Sequence, residues 1–137
     1  MPVIVPLIMD RTAQDVSDGT AKGHYNASDL NRVGRAVEDI ALRLSEYGYT
    51  VSVGPTTNWS ISDIPTQSQM QKYLDDLAAL RAAIELPPST PDTPTDMHGL
   101  TWQEANDIEQ ILYDVDRLFT NMVKAWYYSG DLVAGEV

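Results

Sequence analysis

Five carboxylates, Glu104, Asp107, Glu109, Asp114 and Asp116, crowd one amphipathic stretch, and two histidines, His24 and His98, stand just ahead of helical segments. Paired carboxylates can share acid/base work or hold a cation, and Glu104 and Asp107, three apart, are neighbours on one helix face. A di-iron bundle would need Glu-x-x-His on facing helices, and no such pair occurs. A glycosidase needs two carboxylates facing each other across a cleft, which spacing alone does not supply. Neither histidine has a second histidine or a carboxylate at ligand spacing on a helix. The expectation is therefore plain: loop histidines at the surface, and acids that favour a helix N-terminus and a solvated face. Phosphate-cradling glycine loops and a Gly-x-Ser-x-Gly elbow are missing too, and with no cysteine there is no thiolate ligand or nucleophile. No catalytic, cofactor-binding or metal-binding residue is assigned, and a non-enzymatic role is expected.

The aromatic side chains carry more promise. Trp126, Tyr127 and Tyr128 are consecutive, and successive helical residues point about 100 degrees apart, so one face cannot bury all three. Trp59 falls in a loop and Trp102 in a first helical turn. Exposed tryptophan and tyrosine serve as interface anchors or as platforms for a sugar ring. Trp59, Trp102, Trp126, Tyr127, Tyr128 and Leu132 are the candidate interaction residues. The competing expectation is that Leu132 and Val133 simply cover the three aromatics.

These residues need elements to hold them. The 137 residues make up one ordinary domain, and 43% apolar content is enough to bury a core. The pattern predicts a mainly α fold: one helical domain over residues 1–137, a three-helix bundle with short extended or β segments at the N-terminus, after the first long helix and at the C-terminus. Residues 2–9 read as extended, and Thr12 to Asp15 opens a short helix that Gly19 stops. The first long helix spans about 27–47, with Asn26 as cap, Asp29 at its third position and Gly48 as stop. Residues 49–53 read as a short strand. The second helix spans about 67–85, with Thr66 and Gln69 as its capping box. Residues 86–100, with four prolines, read as an extended crossover long enough to run the length of the bundle, so the helices it joins need not be antiparallel. The third helix spans about 102–128, capped by Thr101 and Glu104 and ended at Ser129-Gly130, with an extended or frayed tail.

The first and third long helices also match at a shift of 75 residues. Asn26 and Asp29 fall on Thr101 and Glu104, Asn31 on Asn106, Val33 on Ile108, Val37 on Leu112 and Ile40 on Val115. Any two well-capped amphipathic helices align in part this way. A true repeat would put Asn31 and Asn106 in matching polar contacts.

A net charge of −11, with nine Lys and Arg, disfavours nucleic acid as a partner, because affinity for phosphate rests on cationic neutralisation. The apolar run Val3 to Met9 is too short to span a bilayer, so no membrane insertion is expected, and no basic residue precedes it as in a signal peptide.

Three stretches carry a family resemblance: Tyr25-Asn26-Ala27-Ser28-Asp29-Leu30-Asn31-Arg32-Val33, Gly99-Leu100-Thr101-Trp102-Gln103-Glu104-Ala105-Asn106-Asp107-Ile108-Glu109, and Trp126-Tyr127-Tyr128-Ser129-Gly130-Asp131-Leu132. With the opening Asp10-Arg11-Thr12-Ala13-x-Asp15-Val16, the chain resembles a group of phage and prophage structural proteins of Clostridia-like gut bacteria. The resemblance covers nearly the whole chain, with a shorter segment between Val16 and Lys22 than the group's pattern has. It implies a virion protein, tail- or baseplate-associated, that meets other virion proteins or its own copies, and it carries over no catalytic residue. Localisation follows as the host cytoplasm during assembly and then the virion. The alternatives are a host-surface glycan-binding module using the tryptophans and, least favoured, a small cell-wall hydrolase using Glu104 and Asp107.

Overall fold

A computed structural model describes the backbone of residues 7–136 and the side chains of residues 7–127. Helix α1 (Ala13–Asp18) opens on a capping box between Thr12 and Asp15 and closes at Gly19, whose φ of 66° is the left-handed conformation open to glycine. A 3-10 turn (Ala21–Gly23) follows. Helix α2 (Ala27–Glu46) starts at the Asn26/Asp29 capping box. Its end is a Schellman motif: the amide of Tyr49 reaches the carbonyl of Leu44 and that of Gly48 reaches Ser45. Helix α3 (Gln67–Ala83) uses Thr66 and Gln69. Helix α4 (Trp102–Glu136) starts where Thr101 and Glu104 exchange side-chain and backbone hydrogen bonds.

One core joins the three long helices. Val33, Val37, Ile40 and Leu44 of α2 meet Leu74, Leu77 and Leu80 of α3 and Ile108, Ile111, Leu112, Val115 and Phe119 of α4. The polar contacts set the directions. Arg32 pairs with Glu109 and, further along both helices, Arg43 pairs with Asp116, so α2 and α4 are parallel. Helix α3 runs the same way. Its first turns border one cleft with Leu30 and Leu100, and Arg81 near its end holds the Thr90 carbonyl while the Thr90 hydroxyl bonds Asp114. Each connection between long helices must then return the full length of the bundle. That is why the chain spends so many residues on extended, proline-bearing segments between well-capped helices.

The mainly α architecture holds, with two local corrections. Residues 49–53 form no strand; among the described residues there is no β-ladder. Tyr49, Val51 and Val53 pack against the core while Thr50 and Ser52 face out. The alternation thus reports burial of one side against helices, which a period of two cannot distinguish from sheet pairing. The C-terminal end is also helical: α4 continues to Glu136 rather than stopping at Ser129-Gly130. A glycine costs a helix about 1 kcal/mol relative to alanine, whereas the proline that would force a stop is absent here. At 1.5 Å per residue, the 35 residues of α4 extend roughly 52 Å against about 30 Å for the 20 of α2. The expected extended N-terminus is described only from Leu7; residues 7–11 have no regular secondary structure, and residues 1–6 lie outside the described residues.

Candidate functional site

The most polar place in the interior lies where residues 7–11 cross α4. Arg11, 3% exposed, follows three apolar residues and Asp10 into the bundle. Its guanidinium donates to Asp29 (3.2 Å), to Glu109 (2.8 Å) and to the Ile8 carbonyl (3.0 Å). Arg32 comes one turn along from Asp29 and donates to it at 2.6 Å, and grips Glu109 through two nitrogens at 2.7 and 2.8 Å. Glu109 also accepts the backbone amide of Ile8 at 2.9 Å. Two arginines and two carboxylates balance in charge. Glu109 is fully buried, and both its oxygens are committed to donors. Burial works against the Arg32 cation, but hydrogen bonds and charge from Glu109 and Asp29 win and hold its pKa above the ordinary arginine value.

Tyrosines floor the cluster. The hydroxyls of Tyr25 and Tyr73 meet, and the Arg11 guanidinium lies 5.6 Å from the Tyr25 ring centroid, within cation–π range. Burial pushes both phenols well above their usual range, and Glu109 and Asp29 add to the shift. A half-buried phenol kept protonated next to this ion network is a fixed dipole, not a base.

Asn106 secures the same segment by its backbone. Its Oδ1 accepts the Arg11 amide and its Nδ2 donates to the Arg11 carbonyl, both at 3.0 Å. Asn31 does the same to Trp59: the Trp59 amide donates to Oδ1 at 2.7 Å, and Nδ2 donates to the Trp59 carbonyl at 2.8 Å. The likeness extends one turn further. Three residues beyond Asn106, Glu109 meets Ile8; three beyond Asn31, Gly34 meets Thr56, whose carbonyl would lie 2.6 Å from any Cβ placed there. Both extended segments therefore run antiparallel to the helix that holds them. Immediately after each, Thr12 pairs with Asp15 and Ser60 with Asp63 in the same backbone-to-carboxylate bond. Asn31 and Asn106, aligned by the 75-residue shift, occupy equivalent structural positions.

The α4 carboxylates do not form the solvated face expected of them. Glu109 is interior, Asp116 is 9% exposed and paired with Arg43, and Asp114 accepts from Thr90 and Gln110. Glu104 caps the helix. Asp107 has its pKa raised, first by burial and then by Glu104. His24 and His98 are exposed. Among the described residues no group of three His, Cys, Asp or Glu is placed to hold a metal ion, and no helix is long and apolar enough to cross a membrane.

The candidate aromatics do not converge. Trp59 is half-buried and lines a cleft of about 180 Å³ with Gly34, Lys72, Tyr73 and Asp76. Trp102 is half-buried at the start of α4. Trp126 stacks on Tyr49 at 6.2 Å and also meets Tyr47 and Phe119, yet stays 41% exposed; Tyr127 is 65% exposed. The side chains of Tyr128 and Leu132 lie outside the described residues. Trp59 sits beside Asn31 and Trp126 beside Tyr47, at opposite ends of α2, roughly 24 Å apart along its axis. Ile61 and Ile64, in the loop before α3, are exposed at 95% and 89%.

Arg11, Arg32 and Glu109 were not singled out for the buried network either. One sequence signal pointed to them: Glu109 stands directly beside Ile108 and within the apolar register, and Arg11 comes two residues after an apolar run. A charge in either position needs a partner. Comparison with protein-family models, with curated proteins and with solved structures found no match.

Proposed function

We propose that the chain is a non-enzymatic structural module of a phage particle, tail-associated, that works by protein–protein contact. The carrying observation is how its buried charges are used. Arg11, Arg32, Asp29 and Glu109 bond to one another and to backbone, with only the Arg11 Nε left without a hydrogen-bond partner, and they pin an extended segment instead of facing a cleft. A general acid or base must reach a substrate proton, and Glu109, closed in by its donors, has no route to one. Exposed large apolar side chains among the described residues include Ile61 and Ile64 on a loop and Leu42 and Trp126 on helices. Such residues anchor interfaces. The resemblance of the capped-helix motifs to phage structural proteins supplies the setting, with host cytoplasm before assembly and the virion after it.

Quantitative mass spectrometry of purified particles from the encoding phage or prophage tests this reading. A fixed copy number per particle is the expected result. Absence from particles, with the protein left in the lysate, would overturn it. Host-glycan binding is the second reading, favoured by the Trp59 ring lining its cleft. Tryptophan emission that does not respond to host cell-wall glycans would remove it.

A further inference from the structure

We propose that the cleft between α3 and residues 54–59 is a docking site for an arginine side chain of a basic partner protein, with Asp76 as its anion and the rings of Trp59 and Tyr73 beside it. The proposal rests on the reading above that the chain works by protein–protein contact, and adds to it a site and the chemistry of the partner.

A second buried carboxylate motivates it. Asp76 is 4% exposed and lines the cleft. Glu109 takes close donors on both oxygens, but Asp76 is served less well. Its Oδ2 takes the Gly54 amide at 3.4 Å, and its Oδ1 takes the Lys72 ammonium at 2.5 Å. Lys72 comes from one turn back on the same helix, and its side chain is 55% exposed. The cleft's own lysine thus shows what this carboxylate accepts. A half-exposed pair four residues apart on a helix contributes little, so a better cation displaces it at small cost. A guanidinium is the better cation. Its planar fork offers a donor to each carboxylate oxygen, whereas an ammonium is a point charge. Its face also packs on aromatic rings, and Trp59 and Tyr73 line the same cleft.

Size, charge and rigidity agree. A cleft of about 180 Å³ admits one long side chain and no folded element. Residues 54–76, which form most of it, carry Asp63, Asp75 and Asp76 against Lys72 alone, within a chain of net charge −11. Such a field draws cationic partners and repels anionic ones. One side of the cleft is already fixed: Asn31 holds the Trp59 backbone at 2.7 and 2.8 Å, and Thr56 lies against Gly34. Little ordering is then left to be done on binding. A sugar ring would also stack on Trp59, but a neutral ring that pushed Lys72 aside would leave the buried charge without a counter-ion, which is costly.

The experiment uses the full-length chain. It is titrated with end-blocked Gly-Arg-Gly, with the same peptide carrying neutral citrulline in place of arginine, and with host cell-wall oligosaccharides. Amide and indole resonances are followed by NMR, the Trp59 indole being assigned with Trp59→Phe. The expected result is a saturable shift at the Trp59 indole and the Gly54 amide with the arginine peptide and none with citrulline. Asp76→Asn, which keeps an acceptor for Gly54, should weaken arginine binding by about tenfold or more, the scale of lost charged hydrogen bonds. Lys72→Gln, at an exposed position, should strengthen it by about threefold, because the competing ammonium is gone. No saturable shift with arginine, or an equal one with citrulline, overturns the proposal. Weaker binding in Lys72→Gln also overturns it, since the lysine would then be the recognising group and the ligand an anion. Shifts at Trp59 and Gly54 with an oligosaccharide and not with arginine would give the cleft to a glycan instead. Failure here, with the protein still found in particles, would leave the assembly reading standing; arginine binding with absence from particles would do the reverse.

Discussion

Two asparagines hold two pieces of backbone in the same way, but what lies one turn further along differs. Beside Asn31 the helix offers Gly34, and the Thr56 carbonyl comes so close that a methyl group would collide with it. Beside Asn106 it offers Glu109, whose carboxylate takes a backbone amide and two arginines. One geometry has been reached by removing a side chain and the other by burying a charge. The difference teaches that the extended segments are structural members in their own right. Three parallel helices need long returns, and the returns are fastened by particular helix residues at particular heights.

The largest effect separating the two clamps is expected at Glu109. Glu109→Ala leaves Arg11 and Arg32 buried without their main partner, a loss of about 3–5 kcal/mol, read as a lower urea midpoint. A loss below about 1 kcal/mol would mean the cluster is far wetter than its burial implies. Gly34→Ala comes next. Alanine suits a helix, yet its Cβ would press on Thr56, so a net cost of about 1–3 kcal/mol is expected, with the change in Trp59 emission confined to that clamp. A stabilised Gly34→Ala protein would show that close approach does not hold residues 56–59.

Asn31→Ala and Asn106→Ala sharpen the comparison most directly. Each removes a donor and an acceptor from one backbone residue, and each should cost about 1–3 kcal/mol. Similar losses in chemical denaturation support equivalence; a several-fold inequality breaks it. Titration adds a smaller effect. Tyr25 and Tyr73 have folded-state pKa values raised above that of an unfolded tyrosine. Their contribution to stability is present in full below about pH 10 and is lost as pH rises from there toward the folded values. Tyr73→Phe should flatten the alkaline part of the stability curve. Smallest is deletion of residues 129–137, which should change stability by less than about 0.5 kcal/mol, because the core helices are already sealed by Phe119.

Much of this fold was legible in the sequence for definite reasons. Capping boxes at Thr12, Asn26, Thr66 and Thr101 follow from which side chains can accept orphan helix amides, a local matter. The apolar registers of α2 and α4 gave the core, and the 75-residue alignment put Asn31 and Asn106 in step. Proline content pointed to a crossover able to join parallel helices. What was not legible was long-range. Tyr49, Val51 and Val53 alternate as a strand would, but the surface they cover belongs to helices. Glu109 looked like one acid among five; only the arrival of Arg11 from the far end of the chain makes it an interior anion. The Ser129-Gly130 pair carries no obligatory stop, so α4 runs past it.

The central claim is that the buried charges fasten residues 8–11 to α4, independently of the clamp on α2. Amide hydrogen exchange on wild type and Glu109→Gln tests it most directly. The account predicts that the Ile8 and Arg11 amides, protected in the wild type, exchange at least about tenfold faster in the variant, while the Trp59 amide keeps its protection. Equal acceleration at all three amides, or none at Ile8 and Arg11, would contradict it.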